Sequence, residues 1–445
     1  MIKKLGLLSL VTTVLMANGY KIPEQSVNSV ALAGADIANV HTADAAYSNP
    51  ANMAFMEDGQ HMEGSLMYIH LTAVDYEGTA TNALGQTGSA SSTSKKENFI
   101  LPTLHYVSEA YGDFRFGASL TVPAGLSKRW QDGGASQLIA EEFTLKVIEL
   151  NPVVSYKMTE TLAVAAGVRM VYSEGVVKSS GTTAVGIVPV GTPGIGGQAI
   201  YQTIDRDMKG DSLEFGYNLA VAYKPMKKLS LAVTYRSEVD LKEDGTAKLS
   251  ASQGFLANGT PIVSVPAANY DGSASVTIPL PATLALAGAY TFNEATTVEL
   301  VYERTYWSSY ELLDFQGYSP ALSGVLKAAY DDPKQRNWSD TNTYRFGVTH
   351  KFNQKWTGMA GYAFDESPAP QNTVSFELPD SDAQIFSLGA RYAHSEELSI
   401  GIAGLYDKRE SITISQTSAT SSTPLNGTFS NASAYLISIG VGYKF

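Results

Sequence analysis

The chain has 445 residues, enough for two or three ordinary domains or for one large barrel. It contains no cysteine, which excludes a disulfide framework and thiol metal ligands. A formal net charge of −12 argues against a nucleic-acid partner, and charged residues make up only 17% of the chain, against the roughly 25% usual for soluble domains.

The N-terminus has the layout of a secretory signal peptide. Lys3 and Lys4 form a positive segment, an apolar run follows, and the small residues Ala17 and Gly19 come next. The apolar run is shorter than the roughly 20 residues that a membrane-spanning helix needs. We therefore predict a signal peptide over residues 1–19, cleaved near Ala17 or Gly19, with a helical anchor as the alternative.

Residues 20–56 show no strand-like alternation and are rich in alanine, which favours short, tightly packed helices. Asn49 followed by Pro50 is typical of a helix start, with the asparagine as N-cap and the proline at the first helical position. The apolar content of this segment argues against disorder.

The rest of the chain alternates large apolar residues with small or polar ones. In the last segment, for example, Tyr435, Ile437 and Ile439 alternate with Ser438 and Gly440. A period of two residues predicts β-strands with one apolar face. Fourteen segments follow this pattern, with boundaries near 60–71, 98–108, 113–122, 143–158, 161–173, 211–224, 228–242, 274–291, 296–304, 341–352, 355–365, 384–394, 397–409 and 433–445.

The connections between these segments alternate as well. Short turns lie at one end of the strands, and long polar loops lie at the other, near 73–97, 123–142, 174–210, 243–273, 305–340, 366–383 and 410–432. An even number of strands of roughly ten residues with this asymmetry predicts an all-β fold, a transmembrane antiparallel β-barrel. Lipid offers no partner for an open sheet edge, so the last strand should pair with the first. A soluble β-sandwich, the alternative, would alternate too but would not need the asymmetry of the loops.

Five arginines indicate which face of the strands meets the lipid. Arg115, Arg169, Arg236, Arg345 and Arg391 all fall on the small or polar face. Because an arginine facing lipid at the bilayer midplane costs about 2–4 kcal/mol, this face should line the lumen. One or two of these arginines could bind the carboxylate of a ligand there. The alternative is a lattice of ion pairs with nearby acids, among them Glu214, Glu238, Asp365 and Asp380.

A barrel of about fourteen strands is wide enough either to need filling or to conduct. A diffusion porin would have no use for residues 20–56 before its first strand. We therefore predict that this segment plugs the lumen as a small helical hatch, with a periplasmic or disordered arm as the alternative. The expected organisation is a signal peptide over 1–19, a hatch over 20–56 and a β-barrel over 57–445.

Several stretches of the chain resemble one family of outer-membrane proteins. GYKIPEQSVNSVALAGADIANVHTADAAYSNPANMAFM looks like the N-terminal hatch of the FadL/TodX transporters, including Asn49, Pro50 and Ala51. VPAGLSKRW, LNPVVSYKMTETLAVAAGVRMVY, VYERTYWSSY and NWSDTNTYRFGVTHKFNQKWTGMAGYAFDESPAP are similar to parts of that family's barrel. Each motif is weak alone, but their order and spacing are specific and cover most of the chain outside the loops.

The resemblance implies the same barrel and a hatch held by Asn49, Pro50 and Ala51. It implies passive, hatch-gated transport of long-chain fatty acids or similar hydrophobic molecules, which leave sideways through an opening in the barrel wall. It also implies that the barrel-insertion machinery recognises the terminal aromatic residue. Uptake of aromatic hydrocarbons, as in other members of the family, and a general porin for small solutes are the alternatives.

Several further residues are candidates for contact with a ligand. Four hatch side chains could line a lumen pocket or pack against the wall: Tyr47, Met53, Phe55 and Met56. Four aromatic residues of the outer loops and rims could form an access groove or an interfacial aromatic belt: Tyr306, Trp307, Trp338 and Trp130. Pro102 removes a ladder hydrogen bond from the second strand, which could mark a weak point in the wall or simply a rim position.

Signals for an enzyme are poor, because the chain has no HExxH or GxSxG motif and its six histidines are scattered. We expect no enzymatic activity, no cofactor and no metal site. The expected partners are a hydrophobic small molecule, outer-membrane lipid and the insertion machinery, with no nucleic acid. We expect a monomer in the outer membrane of a Gram-negative cell.

Overall fold

The computed structural model describes residues 19–82, 84–193, 196–257, 260–263, 268–417 and 424–445. The signal-peptide prediction falls almost wholly on residues 1–18, which lie outside the described residues. Within those described ranges, no helix has the length and apolar character that crossing a membrane requires.

Fourteen antiparallel strands form the wall of a closed barrel in the described part of the chain, and two of them are interrupted by two residues. The strands are β1 (His61–Leu71), β2 (Glu97–Val107), β3 (Phe114–Arg129), β4 (Glu142–Lys157), β5 (Leu162–Ile187), β6 (Ala199–Met226), β7 (Leu229–Arg236 and Val239–Ala257), β8 (Ala268–Leu280 and Thr283–Thr291), β9 (Thr296–Thr305), β10 (Thr341–Lys351), β11 (Trp356–Asp365), β12 (Ala383–Ala393), β13 (Leu398–Arg409) and β14 (Ser433–Lys444). The predicted number of strands is confirmed.

The barrel closes by pairing of β14 with β1, in a register that runs from His61 opposite Lys444 to Leu71 opposite Ala434. Alternation along the strands separates the two faces, as predicted. On β14, Ile437 is 50% exposed on the outer face, whereas the neighbouring side chain of Ser438 is 1% exposed. The outer face is therefore apolar and suited to lipid, and the inner face meets the contents of the lumen.

The outer halves of β5, β6, β7 and β8 are longer than the sequence pattern predicts. β5 and β6 together fill most of the predicted loop 174–210, and β7 and β8 fill most of the predicted loop 243–273. The prediction of these two loops is wrong. Beyond the lipid a strand needs no apolar face, so serine, threonine, glycine and lysine form strands there without the alternation that marks a strand within the membrane.

Other long loops carry small elements of their own. The first and last of them together form a four-stranded sheet from Asp75–Thr81, Thr87–Thr93, Ile412–Ser415 and Leu425–Ser430. The shorter pieces are Thr260–Val263, the 3₁₀ turn Trp307–Ser309, Leu312–Leu313, Phe315–Ser319, the helix Gly324–Tyr330 and Lys334–Gln335. These elements lie at the end of the barrel that carries the long loops.

The hatch consists of α1 (Val27–Ala31), α2 (Ala45–Ser48) and a 3₁₀ helix over Pro50–Phe55. The predicted helix start is confirmed, because the Asn49 side chain accepts a hydrogen bond from the Ala51 amide and Pro50 occupies the first helical position. Small residues let the hatch lie directly on the wall. A Cβ placed on Gly361 of β11 would lie 2.2 Å from the carbonyl carbon of Leu32, so only glycine fits there.

Candidate functional site: hatch, lumen and wall

A window interrupts the barrel wall between β2 and β3. These strands pair only where Leu104–Val107 faces Gly117–Leu120. Beyond that point, residues 97–103 of β2 and 121–128 of β3 share no ladder pair among the described residues. The two strands meet again at the top, where the Lys95 amide donates to the Arg129 carbonyl at 2.7 Å. We call the unpaired stretch between 97–103 and 121–128 the window.

The window arises because β3 leaves the lipid-facing wall. Its first half alternates between exposed and buried side chains, but from Thr121 to Lys128 every side chain is buried. Its pairing with β4 also shifts register between Thr121 and Ala124, on either side of Pro123, which has no amide hydrogen to donate. Pro102, the predicted weak point, lies on β2 at the edge of this window.

The start of the hatch pairs with the free edge of β3. The Ile22 amide donates to the Pro123 carbonyl at 2.8 Å, and the Gly125 amide donates to the Tyr20 carbonyl at 2.8 Å. Lys21 lies opposite Ala124 in this short antiparallel contact. Hatch residues therefore satisfy backbone groups of β3 that β2 leaves without a partner.

Three of the predicted lumen arginines hold the hatch. Arg115 donates to the Met53 carbonyl at 3.0 Å and to the Glu57 carbonyl at 2.7 Å. Arg345 donates to the Ala33 carbonyl at 2.9 Å, and Arg391 donates to the side-chain oxygen of Asn28 at 2.9 Å. The arginine face is therefore the lumen, and these three side chains bind protein groups in this conformation.

Buried acids neutralise the same cations. Glu149, with no exposed side-chain surface, lies between Arg169, whose Nε is 2.9 Å from its Oε2, and Arg236. Glu63 lies 2.9 Å from Arg391. Glu303 binds the Lys21 ammonium at 2.7 Å and lies 3.6 Å from Arg345. The predicted lattice of ion pairs exists around four of the five arginines.

The acids of this lattice differ from those that the sequence suggests. Asp380 pairs with Arg409 in the outer rim, and Asp365 accepts a hydrogen bond from Thr343. Glu149 and Glu303 were detectable by the rule applied to the arginines, because each falls on the more polar face of its strand. Glu63 was not, because it shares its face of β1 with Met67 and Ile69.

A further acid, Glu299 of β9, fixes the middle of the hatch. Its carboxylate accepts hydrogen bonds from three successive backbone amides, at 2.7 Å from Ile37, 2.6 Å from Ala38 and 3.2 Å from Asn39. Three donors converging on one buried carboxylate form a strong anion-binding nest. A side chain of the wall thus binds the backbone of the hatch. This contact was not predicted from the sequence.

A lumen cavity of about 90 Å³ lies between the hatch and the wall. Tyr47, Arg169 and Arg345, all predicted ligand contacts, line it. His105 of β2 and Pro123 of β3 also line it, so the cavity reaches the strands on both sides of the window. The Arg236 guanidinium lies over the Tyr47 ring at 4.4 Å from its centroid, which holds the ring at the cavity edge.

The remaining hatch candidates pack against the wall. Met53 and Met56 are buried in one apolar cluster with Val107 and Val153. The Phe55 ring lies beneath the Lys224 ammonium, 4.7 Å from the ring centroid. The structure therefore gives these three side chains the packing role that the sequence left open as an alternative.

The aromatic candidates are buried under the outer loops. Trp307 and Trp338 surround Tyr20 of the hatch, with ring centroids 4.8 Å and 6.0 Å from that of Tyr20. Trp130 packs against Phe376 with ring centroids 4.9 Å apart, in the same hydrophobic cluster as Tyr20, Trp307 and Trp338. Since Trp130 and Trp307 have no exposed surface and Trp338 has 5%, none of the three belongs to a lipid-facing belt. Tyr306, half-buried, precedes the 3₁₀ turn of Trp307.

A larger cavity of about 310 Å³ lies among the outer loops. Part of its lining is apolar, from Leu138, Ile139, Val185, Ile204, Ala328 and Ala329. The rest of its lining is polar, with the uncharged residues Ser179, Thr183, Gln202, Tyr330, Gln335, Thr373, Ser375 and Gln416 and the charged residues Arg206, Lys334, Arg336 and Glu377. Its size falls in the range of about 300–1,000 Å³ that is typical of small-molecule pockets.

The closed barrel, its apolar exterior and its filled lumen define a plugged β-barrel protein of the outer membrane. The chain belongs to the family described as outer membrane protein transport protein (OMPP1/FadL/TodX), whose model matches residues 8–445. Membership of this family of transport proteins agrees with the expectation that the chain is not an enzyme.

Individual relatives extend over much or all of the chain. It is 27% identical over 323 residues to a long-chain fatty acid transport protein of Escherichia coli, covering 69% of each chain. It is 25% identical to outer membrane protein P1 of Haemophilus influenzae over the whole of both chains. The fold is similar to the crystal structure of a Pseudomonas aeruginosa FadL homologue, with a TM-score of 0.79, 21% identity and 96% and 100% of the two chains covered. The crystal structure of the Ralstonia pickettii toluene transporter TbuX is also similar, with a TM-score of 0.68 and 18% identity. The match covers 97% of this chain and 100% of TbuX.

Proposed function

We propose that the protein carries long-chain fatty acids or similar hydrophobic molecules across the outer membrane by passive, hatch-gated diffusion. The name of the E. coli relative supports this substrate class. The observation on which the proposal chiefly rests is the window, with the hatch paired to its inner strand. A side opening suits a molecule that prefers lipid to water, because each buried CH₂ is worth about 0.8 kcal/mol.

The proposed route begins in the outer-loop cavity of about 310 Å³, which is large enough for part of an acyl chain. It continues past the aromatic residues around Tyr20 into the lumen and ends at the window. The lumen cavity of about 90 Å³ is smaller than an ordinary ligand pocket, so an acyl chain can pass only after the hatch moves. Asn49, Pro50 and Ala51 would act as the structural base of the hatch, since the side-chain nitrogen of Asn49 donates to the Ile37 carbonyl at 2.9 Å.

Aromatic hydrocarbons are the second candidate substrates. Trp307 and Trp338 pack on the Tyr20 ring, and an aromatic hydrocarbon could take the place of that ring when the hatch moves. A general porin for small solutes is less suited to this lumen, because the hatch and its ion pairs fill it. We also expect a monomer that reaches the membrane through the barrel-insertion machinery.

The test is uptake of labelled oleate by cells lacking their own fatty-acid transporter. We expect the protein to restore oleate uptake. We expect Asn49→Ala to lower that uptake at equal barrel abundance in the membrane. The matched control is Asn82→Ala, because Asn82 is a half-buried asparagine whose side chain caps an outer-loop turn by accepting from the Leu84 and Gln86 amides. Absence of oleate uptake by a correctly inserted wild-type barrel would refute the fatty-acid proposal, and labelled toluene should then be tested in the same cells.

A further inference from the structure

One lysine of β3, Lys128, is buried. It lies on β3 at the outer end of the window, and 4% of its surface is exposed. Among the described residues, its ammonium makes neither a hydrogen bond nor an ion pair. Lysine is almost never fully buried unless it is paired, because the loss of hydration is otherwise uncompensated. Lys21, the other buried lysine near the window, binds Glu303 and Thr305.

The acids around Lys128 are already occupied. Glu97 of β2 accepts hydrogen bonds from Ser127 at 2.6 Å and from Arg129 at 2.8 Å, both to the same carboxylate oxygen. Asp380 and Asp407 both pair with Arg409, another cation in this part of the rim. Within the described ranges, no carboxylate therefore makes a hydrogen bond or an ion pair with Lys128, whose ammonium could donate to a ligand oxygen as its partner.

Lys128 and Arg409 line the same small cavity, of about 30 Å³. The rest of its lining is apolar or carries hydroxyl groups, from Leu71, Thr72, Val74, Pro379, Ala432, Ser433 and Ala434. A single water needs about 10–15 Å³ of such space. The cavity thus has the size of a head group with two oxygen atoms, and it is too small for a hydrocarbon chain.

We propose that this cavity, with Lys128 as the main contact and Arg409 beside it, binds the carboxylate of the transported acid. The proposal rests on the proposed function and makes it more specific, because it predicts preference for free acids over their neutral esters. Since Lys128 borders the window, the head group would be held at its outer edge while the acyl chain lies along the apolar lumen face of β3. Leu126 and Val122 belong to that stretch and are buried.

The test compares binding of labelled oleate and methyl oleate to the purified full-length protein in detergent. We expect Lys128→Met to weaken oleate binding about tenfold, the loss of one charge-assisted hydrogen bond, and to leave methyl oleate binding unchanged. Lys128→Arg should retain oleate binding. The matched control is Lys146→Met, because Lys146 carries its charge on β4, 3.9 Å from Glu174, and is 37% exposed.

Folding of the variant is not expected to limit this experiment. Removal of an unpaired buried ammonium lifts a desolvation cost, so the Lys128→Met barrel should resist heat and detergent at least as well as the wild type. Equal oleate binding by the wild type and Lys128→Met would overturn the inference and leave the transport proposal intact. Binding of neither probe by the wild type, with no oleate uptake in cells, would overturn both.

Discussion

Gln25 of the hatch is hydrogen-bonded to Val122 of β3 in the manner of a neighbouring strand. Its side-chain nitrogen donates to the Val122 carbonyl at 2.8 Å, and its side-chain oxygen accepts from the Val122 amide at 2.9 Å. One amide side chain thus satisfies both backbone groups of a residue that β2 does not reach. The window is sealed by the hatch itself, so movement of the hatch and exposure of the β3 edge are a single event.

The first prediction concerns this seal. Gln25→Leu keeps the volume similar but leaves the Val122 amide and carbonyl buried without partners, at a cost of about 1–3 kcal/mol each. We expect faster hydrogen exchange in residues 20–34 and 117–128, measured by mass spectrometry in detergent. Gln137→Leu, in an outer loop where the side chain makes one bond to the Gln131 carbonyl, is the control. Unchanged exchange in Gln25→Leu would show that other contacts hold the segment.

The second prediction tests whether α1 must move during transport. A Cβ on Gly401 of β13 would lie 3.5 Å from the Cβ of Val27, at the short end of the range for a disulfide. The chain has no cysteine, so Val27→Cys with Gly401→Cys creates a single possible bridge. We expect the oxidised double variant to lose most of its oleate uptake and a reducing agent to restore it. The two single variants are the controls, and full uptake by the bridged protein would place the moving part of the hatch elsewhere.

The third prediction concerns the charge lattice. Glu149→Gln leaves Arg169 and Arg236 side by side without their shared acid, and breaking a buried ion pair from one side costs about 3–5 kcal/mol. We expect the barrel to unfold at lower urea concentration, measured by the shift in gel mobility between folded and unfolded forms. Glu109→Gln, in an exposed turn, should unfold like the wild type. An unshifted midpoint in Glu149→Gln would mean that water replaces the acid.

The fourth prediction is a pH dependence of the outer loops. Burial raises the pKa of the Glu377 carboxyl, but the Arg336 guanidinium beside it outweighs burial and holds the pKa below its ordinary value. A carboxyl with a lowered folded pKa contributes stability above the unfolded value of about 4.3 and loses it as the pH falls through the folded pKa. The loops should therefore loosen below about pH 4.

Acrylamide quenching of tryptophan fluorescence measures this loosening, because Trp338 packs on Tyr310, which lies 6.0 Å from the Arg336 guanidinium. We expect more quenching at pH 3 than at pH 6 in the wild type. Glu377→Gln carries no titrating group at this position, so its quenching should not increase between pH 6 and pH 3. If quenching of that variant increased as much as quenching of the wild type, other acids would be responsible for the pH dependence.

The sequence predicted the wall well because lipid imposes a simple rule. Each strand within the membrane must present an apolar face, and an arginine facing lipid near the midplane is costly, so alternation and the five arginine positions were enough to give the strand number and the lumen face. Asn49 was also identifiable, because a helix cap depends on neighbouring residues alone.

The contacts inside the barrel could not be predicted in the same way. Arg391 and Glu63 are 328 residues apart in the chain, and their pairing depends on the closure of the barrel. The window has a weaker local signal. Pro123 interrupts β3, and both faces of the following residues are small or apolar, which describes a strand that has left the lipid but could equally describe a loop.

β1 pairs along its whole length with β14, which brings residue 61 to residue 444. Folding slows as contacting residues lie further apart in the sequence, so this seam is expected to form late. Until it does, two strand edges have no partner and are open to aggregation. We therefore expect both seam strands to need shielding until the barrel closes, and we expect assembly of the seam to limit the yield of folded protein.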